Sequence, residues 1–241
     1  MDAAAYDQKW PEWDDFIRYN PGARHRRRLT LKLIEGLRFG TLLDVGCGNA
    51  ELLGLLHRAY PAARLNGADF SGEVIQRNRS VLPGIPFHVL DIEKERIEDR
   101  YDLVICCEVI EHLANRRAAF ANLRDMVSPG GHLAITCPTG PVYATERHFG
   151  HTTHPTVHEL EEHAQALGLR ILKLWNWGWP TYATLKWATN VNSEWALKTF
   201  ANRRYSAASK LVSNALYYAN YLNLTSRGSA GCQLFALLAK P

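Results

Sequence analysis

Two stretches of this chain carry side chains whose types and spacing could do chemistry. Thr41-Leu-Leu-Asp-Val-Gly-Cys-Gly-Asn49 ends an apolar run in Asp44 and follows it with Gly46, Cys47 and Gly48. Glycines in such a turn leave the main chain bare, so a nucleotide-like ligand can approach the backbone. Glu108-Val-Ile-Glu-His112 brings two carboxylates and an imidazole within one helical turn. Those groups can ligate Mg²⁺, Mn²⁺ or Zn²⁺. The alternative is that Glu111 and His112 open a helix and pair locally. Further on, Arg147-His-Phe-Gly-His-Thr-Thr-His-Pro155 is a His-rich loop.

The turn narrows the ligand. A dinucleotide fingerprint wants a third glycine three residues beyond Gly48, where a helix N-terminus meets pyrophosphate. This chain has Glu51 there. An acid opening the helix repels pyrophosphate and tolerates a cation, so the turn suits a nucleoside without phosphates. Asp69 follows Asp44 by the twenty-odd residues expected of a ribose-binding acid. A carboxylate there can accept both ribose hydroxyl protons.

The elements that must position these residues alternate. Strand signals at Leu42–Val45, Arg64–Ala68, Pro86–Leu90, Tyr101–Cys106 and His132–Cys137 are interleaved with helical stretches at Ala50–Ala59 and Asn115–Val127. Ser71 can cap a further helix. Asp44, Asp69, Asp91 and Glu108 each stand at or just beyond a strand end. The pattern predicts an α/β, doubly wound, mostly parallel sheet. Thr156–Leu167 reads as a helix, Leu169–Trp177 and Gly231–Leu238 as strands, and 180–222 as a helical, aromatic insertion before the last strand. A helix-period stretch near Arg28–Leu37 completes an N-terminal cap that includes Trp10, Trp13, Phe16 and Tyr19. The expected division is 1–40 as cap, 41–138 as cofactor-binding core and 139–241 as acceptor-binding region.

The bulk numbers fit one α/β domain with a modest insertion: 241 residues, 46% hydrophobic, net charge +4. Five cysteines without a CxxC read as reduced thiols of a cytoplasmic protein. The N-terminus lacks signal-peptide blocks and no apolar stretch has membrane-span length. Arg24, Arg26, Arg27 and Arg28 read as a solvated helix face, with an anion-binding patch as the alternative.

Asp-Val-Gly-Cys-Gly-Asn, followed by acids at successive strand ends and by Ser128-Pro-Gly-Gly131 before a strand, resembles the class I S-adenosylmethionine-dependent methyltransferases over residues 41–137. The resemblance implies a seven-stranded, Rossmann-like methyltransferase fold. It also implies S-adenosylmethionine as cofactor and S-adenosylhomocysteine as product. Asp44, Gly46, Cys47 and Gly48 would then face the cofactor, Asp69 and Phe70 its ribose, Asp91 and Ile92 its adenine, and Cys107 and Glu108 its methionine arm. The Glu-x-x-Glu-His run is similar to that of ubiquinone-pathway O-methyltransferases and of small-RNA 2′-O-methyltransferases. In the RNA group a downstream histidine completes a divalent-metal site, which implies Glu108, Glu111, His112 and His151 as ligands of Mg²⁺ or a similar ion. His112 and His151 are the candidate bases with or without a metal. His148 and His154 come second, and His132 reads as a core or surface residue.

The acceptor is open. Trp175, Trp177 and Trp179 alternate along one strand and form either a stacking surface or core packing. The helical aromatics of 187–221 read as core or homodimer contacts, and Tyr19 and Arg24 could close over the cofactor. A small-molecule O- or N-methyltransferase is the leading function. A metal-assisted RNA ribose methyltransferase ranks below it, because the C-terminal cations are few and scattered. A non-catalytic cofactor-binding module is the third reading.

Overall fold

The computed structural model describes residues 14–201, 204–226 and 231–241, so Trp10 and Trp13 of the expected cap lie outside the described residues. Helix α1 spans Asp14–Tyr19 and α2 Pro21–Ile34. The second begins earlier than the sequence periodicity suggests. Asn20 caps it by accepting the Ala23 amide, and Pro21 opens its first turn.

Five strands form the parallel part of the sheet: β1 (Thr41–Val45), β2 (Arg64–Asp69), β3 (Phe87–Val89), β4 (Tyr101–Cys107) and β5 (Val127–Pro138). Three more, β6 (Arg170–Trp179), β7 (Leu224–Ser226) and β8 (Gln233–Ala239), pair antiparallel. The order is β3-β2-β1-β4-β5-β8-β6-β7, an 8-stranded sheet. The seven-strand expectation is therefore corrected. The added strand is β7, three residues paired only with β6 at the sheet edge. β5 also starts before the predicted Ser-Pro-Gly-Gly break, with Val127 already paired to Tyr101.

Strand alternation sorts side chains to two cores. On β4, Leu103 and Ile105 pack on one side of the sheet with Leu33 of α2 and with Leu53 of α3 (Glu51–Ala59). Val104 and Cys106 pack on the other side with Phe120 of α5 (Arg116–Met126) and Leu160 of α7 (Val157–Ala166). Helix α4 (Gly72–Val81) joins the first layer through Ile75. Its start is the predicted cap, Ser71 Oγ accepting the Val74 amide at 3.1 Å. A short α6 (Ala144–His148) follows β5. The insertion forms α8 (Thr181–Val191), α9 (Ser193–Phe200) and α10 (Ala207–Ala219).

The chain reverses its winding between β1 and β4, which are neighbours in space and distant in sequence. In open α/β sheets the crevice at the carboxyl ends of two such strands is where ligands bind.

Candidate functional site

The β1 turn has the backbone that its glycines allow. Gly46 and Gly48 lie at φ +73° and +50°. A Cβ on Gly46 would overlap the Val109 side chain. Gly46 and Cys47 amides both donate to the Ala68 carbonyl, at 2.8 and 3.0 Å. Asp69 fixes the turn from β2: its Oδ2 accepts the Gly48 amide at 3.0 Å and its Oδ1 the Ser71 amide at 3.1 Å. Asp44 is buried beneath the turn. Burial, with Asp69 adding to it, pushes its carboxyl up to about 8.

A cavity of about 680 Å³ opens at this turn, within the range of small-ligand sites. Asp44, Gly46, Cys47, Gly48, Cys107 and Glu108 line it, whereas Asp69, Phe70, Asp91 and Ile92 do not. Asp91 is held by Lys94 Nζ at 2.7 Å and the Glu93 amide at 3.1 Å. Ile92 is buried in the core. Burial pushes the Cys107 thiol up to about 12, so it is no nucleophile at neutral pH.

The far end of the cavity holds Glu111, His112 and His151. Glu111 and His112 stand on the 3₁₀ turn Ile110–His112, which follows β4. His151 reaches the same place from the loop after α6. Its amide donates to the Glu146 carbonyl at 3.1 Å, and the Thr152 amide donates to the Glu111 carbonyl at 3.3 Å. Arg116 ties the two segments together, donating to the Ile110 carbonyl at 3.0 Å and Thr153 Oγ1 at 2.7 Å. The His112 and His151 rings lie 4.7 Å apart at 78°.

Hydrogen bonds fix the tautomers. The Gly140 carbonyl can only accept, so His154 carries its proton on Nδ1, 3.0 Å away. Burial lowers the pKa of both His154 and His151 and holds them neutral. His154 Nε2 must therefore accept the His151 Nδ1 proton across 3.0 Å. His151 is left with a bare Nε2. Burial also keeps His112 neutral, with one ring nitrogen donating to the Gly150 carbonyl. Between these imidazoles Glu111 is fully buried, and neither of its oxygens has a hydrogen-bond partner. Burial first and Glu108 second hold its carboxyl well above the usual range. Ligand atoms of Glu111, His112 and His151 all lie within 4.8 Å of one another. A second such group is Glu146, His151 and His154.

Glu108 has a different surrounding. Its backbone stands at φ +60°, and its side chain takes Arg26 Nε at 3.0 Å, Thr136 Oγ1 at 2.9 Å and Gln233 Nε2 at 2.6 Å. It is spoken for, and it stands outside both groups that could hold an ion.

Sequence reasoning missed several residues here. Arg26 on α2, Tyr182 and Lys186 on α8, Glu146 on α6 and Gln233 on β8 all line the cavity. Lys186 pairs with Glu146 at 2.6 Å. The arginine run gave the one signal, read as a solvated face; the structure corrects that. Arg24 bonds Asn214 Oδ1 at 2.7 Å and covers the Tyr217 ring, Arg27 donates to the Ile17 carbonyl at 3.2 Å, and Arg28 bonds His25 Nδ1 at 3.2 Å. Helix α2 is sandwiched between sheet and insertion, and long side chains bridge the gap. Tyr19 stacks on Tyr205, so it and Arg24 join cap to insertion and do not line the cavity. The three tryptophans do not line it either. Trp177 is core, 1% exposed, while Trp179 is 52% exposed beyond a register shift.

Known proteins resemble this chain over the same region. A family model described as a methyltransferase domain matches residues 16–174. Trans-aconitate 2-methyltransferase of Escherichia coli O1:K1 / APEC is 33% identical over 121 residues, 50% of this chain and 46% of that protein. The enzyme of the same name from Shigella flexneri serotype 5b (strain 8401) is 31% identical over 121 residues, with the same coverage of 50% and 46%. The chain spans about half the length of the curated relatives it matches. Among solved structures, N-methyltransferase NodS from Bradyrhizobium japonicum WM9, in complex with S-adenosyl-L-homocysteine, has a TM-score of 0.61 at 18% identity, covering 99% of this chain and 98% of that one. An O-methyltransferase from a trans-AT PKS multienzyme of Brevibacillus brevis, also with S-adenosyl-L-homocysteine, has a TM-score of 0.62 at 19% identity, covering 93% and 79%. At such identities the likeness is one of fold. The family match takes in the glycine turn, both acids of β1 and β2, and the Glu111–His112–His151 cluster, and the chain belongs to the class I S-adenosylmethionine-dependent methyltransferase family.

Proposed function

We propose that this chain transfers the methyl group of S-adenosylmethionine to an oxygen, or a nitrogen, of a small-molecule acceptor in a cytoplasmic biosynthetic pathway. The observation that carries the reading is one continuous cavity from the Gly46–Gly48 turn, at the winding reversal of the sheet, to His112 and His151. The residues fit the cofactor. Gly46 and Gly48 leave room for its backbone contacts, Asp69 stands beside the turn at the tip of β2, and Asp44 and Glu51 suit a cation. Residues 41–138 then serve the cofactor and 139–241 the acceptor, with 1–40 as a cap.

When bound, S-adenosylmethionine supplies a methyl group already activated on a sulfonium. The chain's task is to hold the acceptor in line and remove its proton. His151 offers a bare Nε2 for that proton, kept in place by the Nδ1–His154–Gly140 chain. Arg27, which lines the cavity and donates to the Ile17 and Arg18 carbonyls, can attract an anionic acceptor. The curated relatives, named for trans-aconitate, are consistent with a carboxylate.

Incubating the protein with isotopically labelled S-adenosylmethionine and a panel of carboxylic acids, alcohols and amines tests the reading by mass spectrometry. His151→Ala should lower turnover by roughly 10²–10⁴-fold while leaving cofactor affinity within a few-fold. Near-wild-type turnover would remove His151 from the role of base.

Asp44 gives a pH signature. With its pKa at about 8 it is protonated at neutral pH in the free protein. A cation beside it favours the carboxylate, so cofactor binding should release a proton below about pH 8. Affinity should rise with pH and level off above that value. Without ligand the sign is opposite. A raised carboxyl favours the fold most at acid pH, below its unfolded pKa, and that contribution is lost as pH climbs through 8. Calorimetry in buffers of different ionisation enthalpy measures the released proton, and no buffer dependence would contradict the assignment.

A divalent cation is supported by a separate observation, the two unpartnered oxygens of buried Glu111 among neutral imidazoles. Glu111, His112 and His151 would hold it, His151 Nε2 then serving as a ligand in place of a base, and Glu108 would steady Arg26 beside it. The ion would polarise the acceptor oxygen.

A further inference from the structure

The cavity has two walls of opposite chemistry. Strand tips and α2 supply the first, where Arg26, Arg27, Glu108, Glu111 and His112 face the interior. Helix α1 and the insertion supply the second, with Phe16, Ile17, Leu197, Phe200, Val212 and Leu216. Between residues 187 and 226 no charged side chain among the described residues lines the cavity. Most hydroxyls on this side are already engaged. Tyr205 donates to the Phe200 carbonyl at 2.6 Å, Thr189 to the Leu185 carbonyl at 3.0 Å and Thr145 to Asn190 Oδ1 at 3.1 Å. Ser213 is the one hydroxyl that α9 and α10 bring to the cavity.

The apolar wall is continuous with the methyl-transfer site. Helix α9 packs on α6, and α10 packs on α1 and α2. Phe149, two residues before His151, stacks on Phe16 with centroids 4.9 Å apart at 10°, so α1 is joined to the histidine loop. Arg27 stands at the seam and reaches from α2 to the Ile17 carbonyl of α1 at 3.2 Å. Burial brings its pKa down to about 10, and an anion beside it would restore the lost stabilisation. A pocket selects its ligand by the chemistry of its lining. The sulfonium, amino acid and ribose of the cofactor are polar or charged, and an uncharged wall gives them no partner. An apolar group would remove that wall from water. The relatives do not speak to this choice: the family match ends at residue 174, ahead of the whole insertion.

Resting on the methyltransferase reading above, we propose that the methyl acceptor is an amphiphile, with its reacting head at His112 and His151 and an alkyl or aryl tail in the arm between α1, α9 and α10. The test titrates the protein, already saturated with S-adenosylhomocysteine, with butanoate, octanoate and dodecanoate below their micelle concentrations, and with phenylbutanoate. Each methylene that enters the arm should tighten binding by about fourfold until the arm is full. Octanoate against phenylbutanoate tells an alkyl from an aryl tail. Leu216→Asp and Leu211→Asp place the same charge on two sides of α10. The first should weaken dodecanoate binding by about tenfold or more and flatten the dependence on chain length. The second should keep both, because Leu211 does not line the cavity and is 72% exposed. S-adenosylhomocysteine affinity, read alongside, shows that each variant is folded, and the wild-type series decides the matter if Leu216→Asp is not. Wild-type affinity that does not grow with chain length would overturn the proposal. So would an equal loss in Leu211→Asp, or displacement of S-adenosylhomocysteine by dodecanoate, which would assign the arm to the cofactor. Failure of the methyltransferase reading looks different: S-adenosylhomocysteine itself would not bind.

Discussion

Replacing Asp69 by alanine should weaken S-adenosylhomocysteine binding by roughly 100-fold, the worth of two charge-assisted hydrogen bonds to ribose hydroxyls. The carboxylate also anchors the Gly48 and Ser71 amides, so a loosened turn adds to the loss. The two contributions separate in the measurement. Calorimetry reads the affinity and thermal unfolding reads the turn. A fall in Tm with unchanged affinity would leave Asp69 an anchor of the turn and remove it from the ligand.

Glu111→Leu should move stability and turnover in opposite directions. A buried carboxyl with both oxygens unpartnered costs about 1–3 kcal/mol, and an apolar residue of similar size relieves it. In metal-free buffer Tm should therefore rise, by about 2–4 °C for each kcal/mol relieved. Turnover should fall by about 100-fold, the loss expected when a metal site is disturbed. Adding Zn²⁺ or Mn²⁺ should raise the Tm of the wild-type protein and leave that of the variant unmoved. A variant that unfolds earlier than wild type, works at full rate and ignores the ion would contradict the whole role given to Glu111.

The parts of the site legible in sequence are those set by local rules. A Gly-x-Gly after an apolar run needs positive φ, and both glycines have it. Ser71 caps a helix where its type predicts. The resemblance to the small-RNA 2′-O-methyltransferases implies His151, and the fold brings it beside His112. What escaped depends on distant contacts. Glu108 looked like a partner of Glu111, but a left-handed backbone at the end of β4 turns it to Arg26, Thr136 and Gln233. The arginines of α2 look solvated until sheet and insertion close on either side of them. β7 is three residues long and has no periodicity to read. The alternating tryptophans lose their shared face at the Trp177/Trp179 register shift.

The central claim is that the turn after β1 and the tip of β2 hold an adenosyl ligand with no phosphates. Calorimetric titration of the purified protein with S-adenosylhomocysteine, beside a nicotinamide dinucleotide, tests it most directly. The account predicts saturable binding of the first at one site per chain, lost in Asp69→Ala, and no heat from the second. Tight binding of the dinucleotide with no response to S-adenosylhomocysteine would contradict it.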